Sequence, residues 1–237
     1  YGKEEGRLAV ELDEALFVHT GTRCFGRRDW DKWWQKHKTG FVLPHADSVR
    51  GNAAAGAGSG KTVSYHDIPV VSSRIAFLVD RSGSMRAPIG TDRKYTRLDA
   101  AKEQLTQVVS AWPATTKFNV VVYENAVVPF WKELQRCTDE VRKEAIERTA
   151  QIALGGGTNI FDALEQAFAD AEVDTVYLMT DGTPTAGRIV DPEQILDEIV
   201  RRNRTRQVVV HCIGLGIDSE LLKQLAAATG GTYKYVR

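Results

Sequence analysis

From Arg74 to the C-terminus the chain alternates short, unbroken apolar runs with stretches of helical period, and few folds accept that rhythm. The runs are IAFLVD (75–80), KFNVVVYE (117–124), VVPFW (127–131), TVYLMTD (175–181), QVVVHCIGLG (207–216) and TYKYV (232–236). A strand with one wet face shows every second residue polar; these runs mostly do not, so both faces must be covered. The segments between them supply the cover. Leu98, Ala101, Leu105, Val108 and Trp112 share one helical face, as do Ile160, Leu164, Ala167 and Phe168, and further helices fit 139–153, 192–203 and 218–229. Strand, helix, strand in succession places parallel strands side by side through helical crossovers. The expected architecture is a doubly wound α/β fold, a mostly parallel sheet of six strands with helices on both faces. The gap between 124 and 127 is too short for a crossover, so VVPFW is expected as one antiparallel edge strand, where Pro129 is tolerated.

The first 62 residues follow other rules. Residues 4–20 fit a short amphipathic helix with Leu8, Leu12, Ala15 and Leu16 on one face and Gly21 as its stop. In RDWDKWWQKHK, a helix capped by Asp29 would bring Trp30, Trp33, Trp34 and His37 to one side. Interleaved bases and tryptophans also describe a base-stacking platform, but two short helices need large aromatics to build any core, and packing is the stronger reading. The order helix, TG, FG, WxxWW resembles the end of a bacterial HEAT-like helical repeat, which implies docking against neighbouring helical repeats of a longer chain. GNAAAGAGSG has no periodicity and reads as linker. The expected organisation is a Trp-rich helical segment at 1–45, a Gly/Ala/Ser linker at 46–62 and an α/β domain at 63–237. AGAGSGKT (55–62) matches a relaxed phosphate-binding loop, yet no apolar strand leads into it and Pro69 follows where a helix should hold the phosphate.

Bulk composition excludes several function classes. Lys plus Arg equals Asp plus Glu at 31 each, so no global field recruits nucleic acid or an anionic membrane. No apolar run approaches the ~20 residues that cross a bilayer. Cys24, Cys137 and Cys212 are far apart, the five histidines are scattered, and neither set has zinc-ligand spacing. The chain opens on Tyr1 and not on Met, so an upstream targeting segment can be missing, and the sequence does not fix a compartment.

In doubly wound sheets ligands bind beyond the carboxyl ends of the strands, near the point where strand order reverses. Three segments end there, and each offers oxygen. IAFLVD runs into Asp80, Arg81, Ser82, Gly83 and Ser84; GGGTN presents Thr158; TVYLMTDG ends at Asp181. Alternate positions on a turn let Asp80, Ser82 and Ser84 face one point, with Gly83 easing the bend and Gly155, Gly156 and Gly157 letting the second loop come close. Two carboxylates and three hydroxyls suit Mg²⁺ or Mn²⁺, hard ions that take about six oxygens. With three neutral hydroxyls and the carboxylates acting partly through water, the ion would stay under-neutralised, and an open position would attract an acidic side chain.

DRSGS, GGGTN and LMTDG, in that order, resemble the metal-ion-dependent adhesion site of von Willebrand factor A domains. YHDIPVVSSRIAFLVDRSGSM and ATGGTYKYV are similar to bacterial members, so the resemblance covers roughly 63–237. It implies a Rossmann-like fold, with Ser82, Ser84 and Thr158 as direct ligands and Asp80 and Asp181 binding directly or through water. It implies an adhesion or scaffold module and not an enzyme: the cation recognises an Asp or Glu of a protein partner, and Arg81, Arg86, Thr183 and Thr185 are candidate rim contacts. It leans towards the cell envelope or extracellular space. Affinity-switching members slide a helix after the last strand; the chain ends at Arg237 without one, and no such switch is expected. The alternatives are a Mg²⁺-dependent phosphohydrolase with Asp80 as nucleophile, a P-loop nucleotide-binding enzyme, and a metal-independent structural domain. The first lacks a second acid two residues on, where Ser82 stands.

Overall fold

The computed structural model describes residues 27–39, 64–70, 72–91 and 93–237, with the single positions 12, 15, 16, 20, 22 and 24. The chain divides into two compact units, Tyr1–Thr62 and Val63–Arg237.

In the first unit, α1 spans Arg27–His37. It begins two residues before Asp29, so Asp29 lies in the first turn, where a carboxylate favours the helix dipole, and does not cap the helix as expected. The tryptophans divide their labour. Trp30 is buried, Trp33 meets it edge-on at 5.9 Å and stacks on His37 at 4.5 Å, and Trp34 is 47% exposed. Trp33 Nε1 donates to Thr22 Oγ1 at 3.1 Å. Of the helix expected at 4–20, Leu12, Ala15, Leu16 and Thr20 are helical; its other residues, the linker at 46–62 and the phosphate-loop match at 55–62 lie outside the described residues.

The second unit opens with a hairpin of β1 (Ser64–Tyr65) and β2 (Ile68–Pro69), whose turn places His66 and Asp67 at φ of 48° and 64°. The main sheet then forms from β3 (Arg74–Asp80), β4 (Lys117–Tyr123), β5 (Val127–Pro129), β6 (Gln135–Arg136), β7 (Thr175–Thr180), β8 (Val209–Leu215) and β9 (Tyr233–Val236). Its order is β5-β4-β3-β7-β8-β9, with β6 also on β4. β4, β3, β7, β8 and β9 are parallel, and β5 is the antiparallel edge, with Pro129 opposite Val121. The seventh strand, β6, adds one to the six expected; two residues long, it carries no periodicity to read.

Side-chain alternation on β3 shows why the runs had to be apolar throughout. Ile75, Phe77 and Val79 face one layer, built from α2 (Arg97–Ala111) and α3 (Asp139–Ala150); Ala76 and Leu78 face the other, built from α4 (Ile160–Ala169), α5 (Pro192–Arg206) and α6 (Glu220–Ala228). Each of these helices starts on a side-chain cap, at Thr96, Thr138, Asn159, Asp191 and Ser219 in turn. The helices after β3 and β7 leave to opposite faces, which opens a crevice between those two strand ends. The chain also changes face between α3 and α4, so residues 151–159 cross the carboxyl end of β3: Gly155 N–H donates to the Arg81 carbonyl at 2.6 Å and Gly83 N–H to the Gly156 carbonyl at 2.9 Å. Among the described residues no helix is long and apolar enough to cross a membrane.

Phe77, fully buried, stacks on Tyr177 at 5.3 Å and meets Tyr65 edge-on at 4.8 Å. Phe77→Ala should cost about 3–5 kcal/mol, read as a lower urea midpoint with an unchanged m-value.

Candidate metal centre

β3 and β7 are paired in register up to Val79 and Met179, so Asp80 and Thr180 arrive at the crevice side by side. Asp80 is wholly buried. Its Oδ1 accepts the Ser82 amide at 2.7 Å and its Oδ2 the Thr180 hydroxyl at 2.5 Å. The first contact folds the loop back on its own carboxylate and leads into a 3₁₀ turn at Gly83–Arg86. That turn brings the Ser82 and Ser84 hydroxyls to 3.0 Å from each other, and Ser84 donates to Asp181 Oδ1 at 2.6 Å. Thr158 completes the group: a Cβ placed on Gly182 would lie 3.3 Å from its Oγ1 and 3.6 Å from Ser84 Oγ, so both hydroxyls border the same backbone. The five residues singled out in the sequence are neighbours.

The glycines act differently from expectation. Gly83 has no left-handed backbone, and a Cβ there would make only ordinary contacts of 3.7 Å and 3.8 Å, so the bend does not require it. Gly155, Gly156 and Gly157 are crowded by the side chains of the turn after β4. A Cβ at each would fall 2.7 Å from Glu124 Cγ, 2.3 Å from Asn125 Nδ2 and 2.7 Å from Asn125 Oδ1 respectively. Glu124 and Asn125 in turn accept the Gly156 and Gly157 amides at 3.1 Å and 3.0 Å. The Asn125 amide foremost, with those of Ala126 and Gly156, holds the Glu124 carboxyl below the ordinary range.

The rim residues divide. Arg81 turns away from the crevice, pairing with Glu124 at 3.4 Å and donating to the Ala153 carbonyl at 3.1 Å. Arg86 and Thr183 are exposed. Thr185 is exposed as well, and its hydroxyl accepts the Thr158 amide at 2.9 Å.

Sequence reasoning missed Thr180, Asn125, Asn159 and Arg97. Asn159 caps α4 and donates to the Asn125 carbonyl at 3.1 Å. Arg97, the first residue of α2, bridges to Asp181 Oδ2 at 2.7 Å. A cation at a helix N-terminus opposes the dipole, and that local violation was the signal available.

Asp80 and Asp181 thus share the crevice, and the Arg97 guanidinium pairs with Asp181. Burial pushes the Asp80 carboxyl up to about 6, against the pull of hydrogen bonds from Thr180 and Ser82, and the nearby Asp181 raises it further. A buried carboxylate short of positive charge, beside three hydroxyl oxygens and no nitrogen or sulfur ligand, is a donor set that fits a hard divalent cation. Among the described residues no three His, Cys, Asp or Glu side chains cluster as a zinc-type site would need.

The Asp80 pKa has a sign that can be measured. Because its folded value lies above the ordinary 3.8, this group's stabilisation is present in full below about pH 4 and lost as pH rises through about 6. In chelator, Asp80→Asn should therefore be more stable than the natural chain at pH 7.5 by up to a few kcal/mol of unfolding free energy, at about 1.4 per pKa unit, and melt higher. The gap should close towards pH 4.5; a variant less stable at both pH values would contradict it.

Residues 73–235 match the von Willebrand factor type A domain family. The chain is 28% identical over 183 residues to von Willebrand factor A domain-containing protein 5A of Rattus norvegicus, covering 73% of this chain and 22% of that protein. It is 25% identical over 179 residues to inter alpha-trypsin inhibitor, heavy chain 4 of Mus musculus, covering 70% and 18%. The chain thus spans about a fifth of the length of these relatives. Among solved structures, a von Willebrand factor type A protein from Catenulispora acidiphila superposes with a TM-score of 0.58 at 24% identity, covering 69% of this chain and 38% of that one. BatB from Bacteroides thetaiotaomicron gives 0.52 at 16%, covering 68% and 89%; both show likeness of fold.

Proposed function

The chain belongs to the von Willebrand factor type A domain family, whose members are generally protein-interaction modules, and we propose that it binds an acidic residue of a protein partner through Mg²⁺ or Mn²⁺. The observation that carries this reading is the hydrogen-bonded run Asp80, Ser82, Ser84, Asp181 beside the Thr158 hydroxyl, at strand ends where a solvent-facing ligand can approach. When bound, the cation supplies a Lewis-acidic position that a partner's Asp or Glu can fill.

The chain's own residues do the rest. Ser82, Ser84 and Thr158 offer neutral oxygens, which leave charge on the ion. Asp80 and Asp181 sit deeper, each already committed to protein donors, and serve as ligands directly or through water. Thr185 and Asn159 fix the second loop, so Thr158 is presented without further ordering. Exposed Arg86 and Thr183 flank the face for secondary contacts.

A phosphohydrolase with Asp80 as nucleophile is disfavoured by the same geometry, because that carboxylate is sealed from solvent and bonded on both oxygens. The first unit, with half-exposed Trp34 on α1, is read as a separate docking element for neighbouring helical repeats.

Calorimetric titration of the cation-free chain with Mg²⁺ and with Mn²⁺ tests the proposal, and silence with both would remove it. Thr158→Ala and Ser84→Ala should each weaken binding at least about tenfold while the protein stays folded, since both lie on loops. Added Mg²⁺ should stabilise the natural chain by linkage, by about 2.7 kcal/mol at a hundred times Kd, and so raise its melting temperature but not that of Thr158→Ala.

A further inference from the structure

Arg97 occupies a place that local rules discourage. It is the first residue of α2, where the helix dipole disfavours a cation. What holds it there is Asp181, whose side chain is wholly buried while that of Arg97 is 19% exposed. The fold also clears room for the guanidinium: Gly216, at φ +66°, closes β8, and a Cβ on it would fall 2.3 Å from Nη2. Nε is buried without a hydrogen-bond partner. A guanidinium seated with a donor unused is placed for its charge on Asp181 more than for a full set of hydrogen bonds.

Asp181 is left with both oxygens engaged, Oδ1 by Ser84 at 2.6 Å and Oδ2 by Arg97 at 2.7 Å. Of the other arginines in the loops at this end, Arg81 is paired with Glu124 and Arg188 with Asp162 and Glu165, and Arg86 is exposed. Two carboxylates alone would balance a divalent ion; the guanidinium returns one positive charge. We propose that Arg97 is a built-in counter-cation that holds Asp181 back from direct ligation, loosening the grip on a divalent ion and leaving the loaded centre net positive towards a carboxylate. The proposal rests on the metal-binding reading above. It makes Arg97 a positioning residue that trades metal affinity for attraction of an anion.

The test compares the natural chain with Arg97→Gln and Arg97→Lys, each stripped of cations and titrated with Mg²⁺ and with Mn²⁺. Arg97→Gln should bind at least about fivefold tighter, the scale of removing a like charge near the ion in a partly exposed site, and Arg97→Lys within about twofold of the natural chain. If the natural chain binds and Arg97→Gln binds no tighter, the counter-cation proposal alone is overturned. If both are silent with both metals, the metal site itself falls. Thermal melts cover a loss of stability: cation-free Arg97→Gln should melt below the natural chain and gain more from Mg²⁺, whereas a variant still unfolded in millimolar Mg²⁺ would show a purely structural arginine and overturn the proposal. Acetate methyl protons, relaxed by Mn²⁺ on the loaded protein, should report closer approach in the natural chain than in Arg97→Gln; equal relaxation would overturn the carboxylate-attracting role.

Discussion

The hydrogen bond from Thr180 to Asp80 joins the carboxyl ends of the two central strands, and the geometry of the crevice follows from it. β3 and β7 are each buried on both faces, so their ends are the first points at which polar side chains become tolerable. The sheet places these two residues side by side; burial then makes the Asp80 charge costly, and among the described residues the relief comes from the Thr180 hydroxyl and from Ser82. A loop that folds back on the same carboxylate, through the Ser82 amide, brings two more hydroxyls to the spot. The site is a consequence of ending a dry strand on an acid.

Much of this was legible in the sequence, for identifiable reasons. Continuous Val/Ile runs can only be two-sided strands, and the short 124–127 gap can only be a hairpin, so the parallel sheet and its antiparallel edge followed from periodicity and length. Asp80, Ser82 and Ser84 were groupable because a turn sets them at alternate positions, and Thr158 and Asp181 because each follows an element ending at the same side. What escaped depended on tertiary neighbours. β6 is two residues long and exists because Lys117 and Phe118 lie opposite it. Asn125 and Glu124 look like ordinary turn residues until the glycine loop lies across them. Asn159 and Thr96 are cap-type residues ahead of helical runs, but nothing local links Arg97, the residue after Thr96, to Asp181, and only the fold shows it reaching there across 84 residues of sequence. The start of α1 was misjudged because Asp at the third helical position and Asp at the cap satisfy the same dipole.

The matched relatives share this fold over about a fifth of their length. In this chain the second unit is held as a rigid platform: each of the helices α2 to α6 starts on a side-chain cap, and aromatic packing runs from Tyr65 through Phe77 to Tyr177 and His211. With overall charge balanced, the local charge at the strand ends is set by a few residues, Asp80, Asp181 and Arg97 among them.

The crossing segment between α3 and α4 carries one more implication. Because Gly155, Gly156 and Gly157 are walled in by Glu124 and Asn125, that stretch of the rim exposes main chain and tolerates no side chain without displacing its neighbours. Variation in the shape of this rim is therefore channelled elsewhere, into the loops after β3 and β7, where exposed positions such as Arg86 and Thr183 can change size and polarity while the backbone floor between them stays the same.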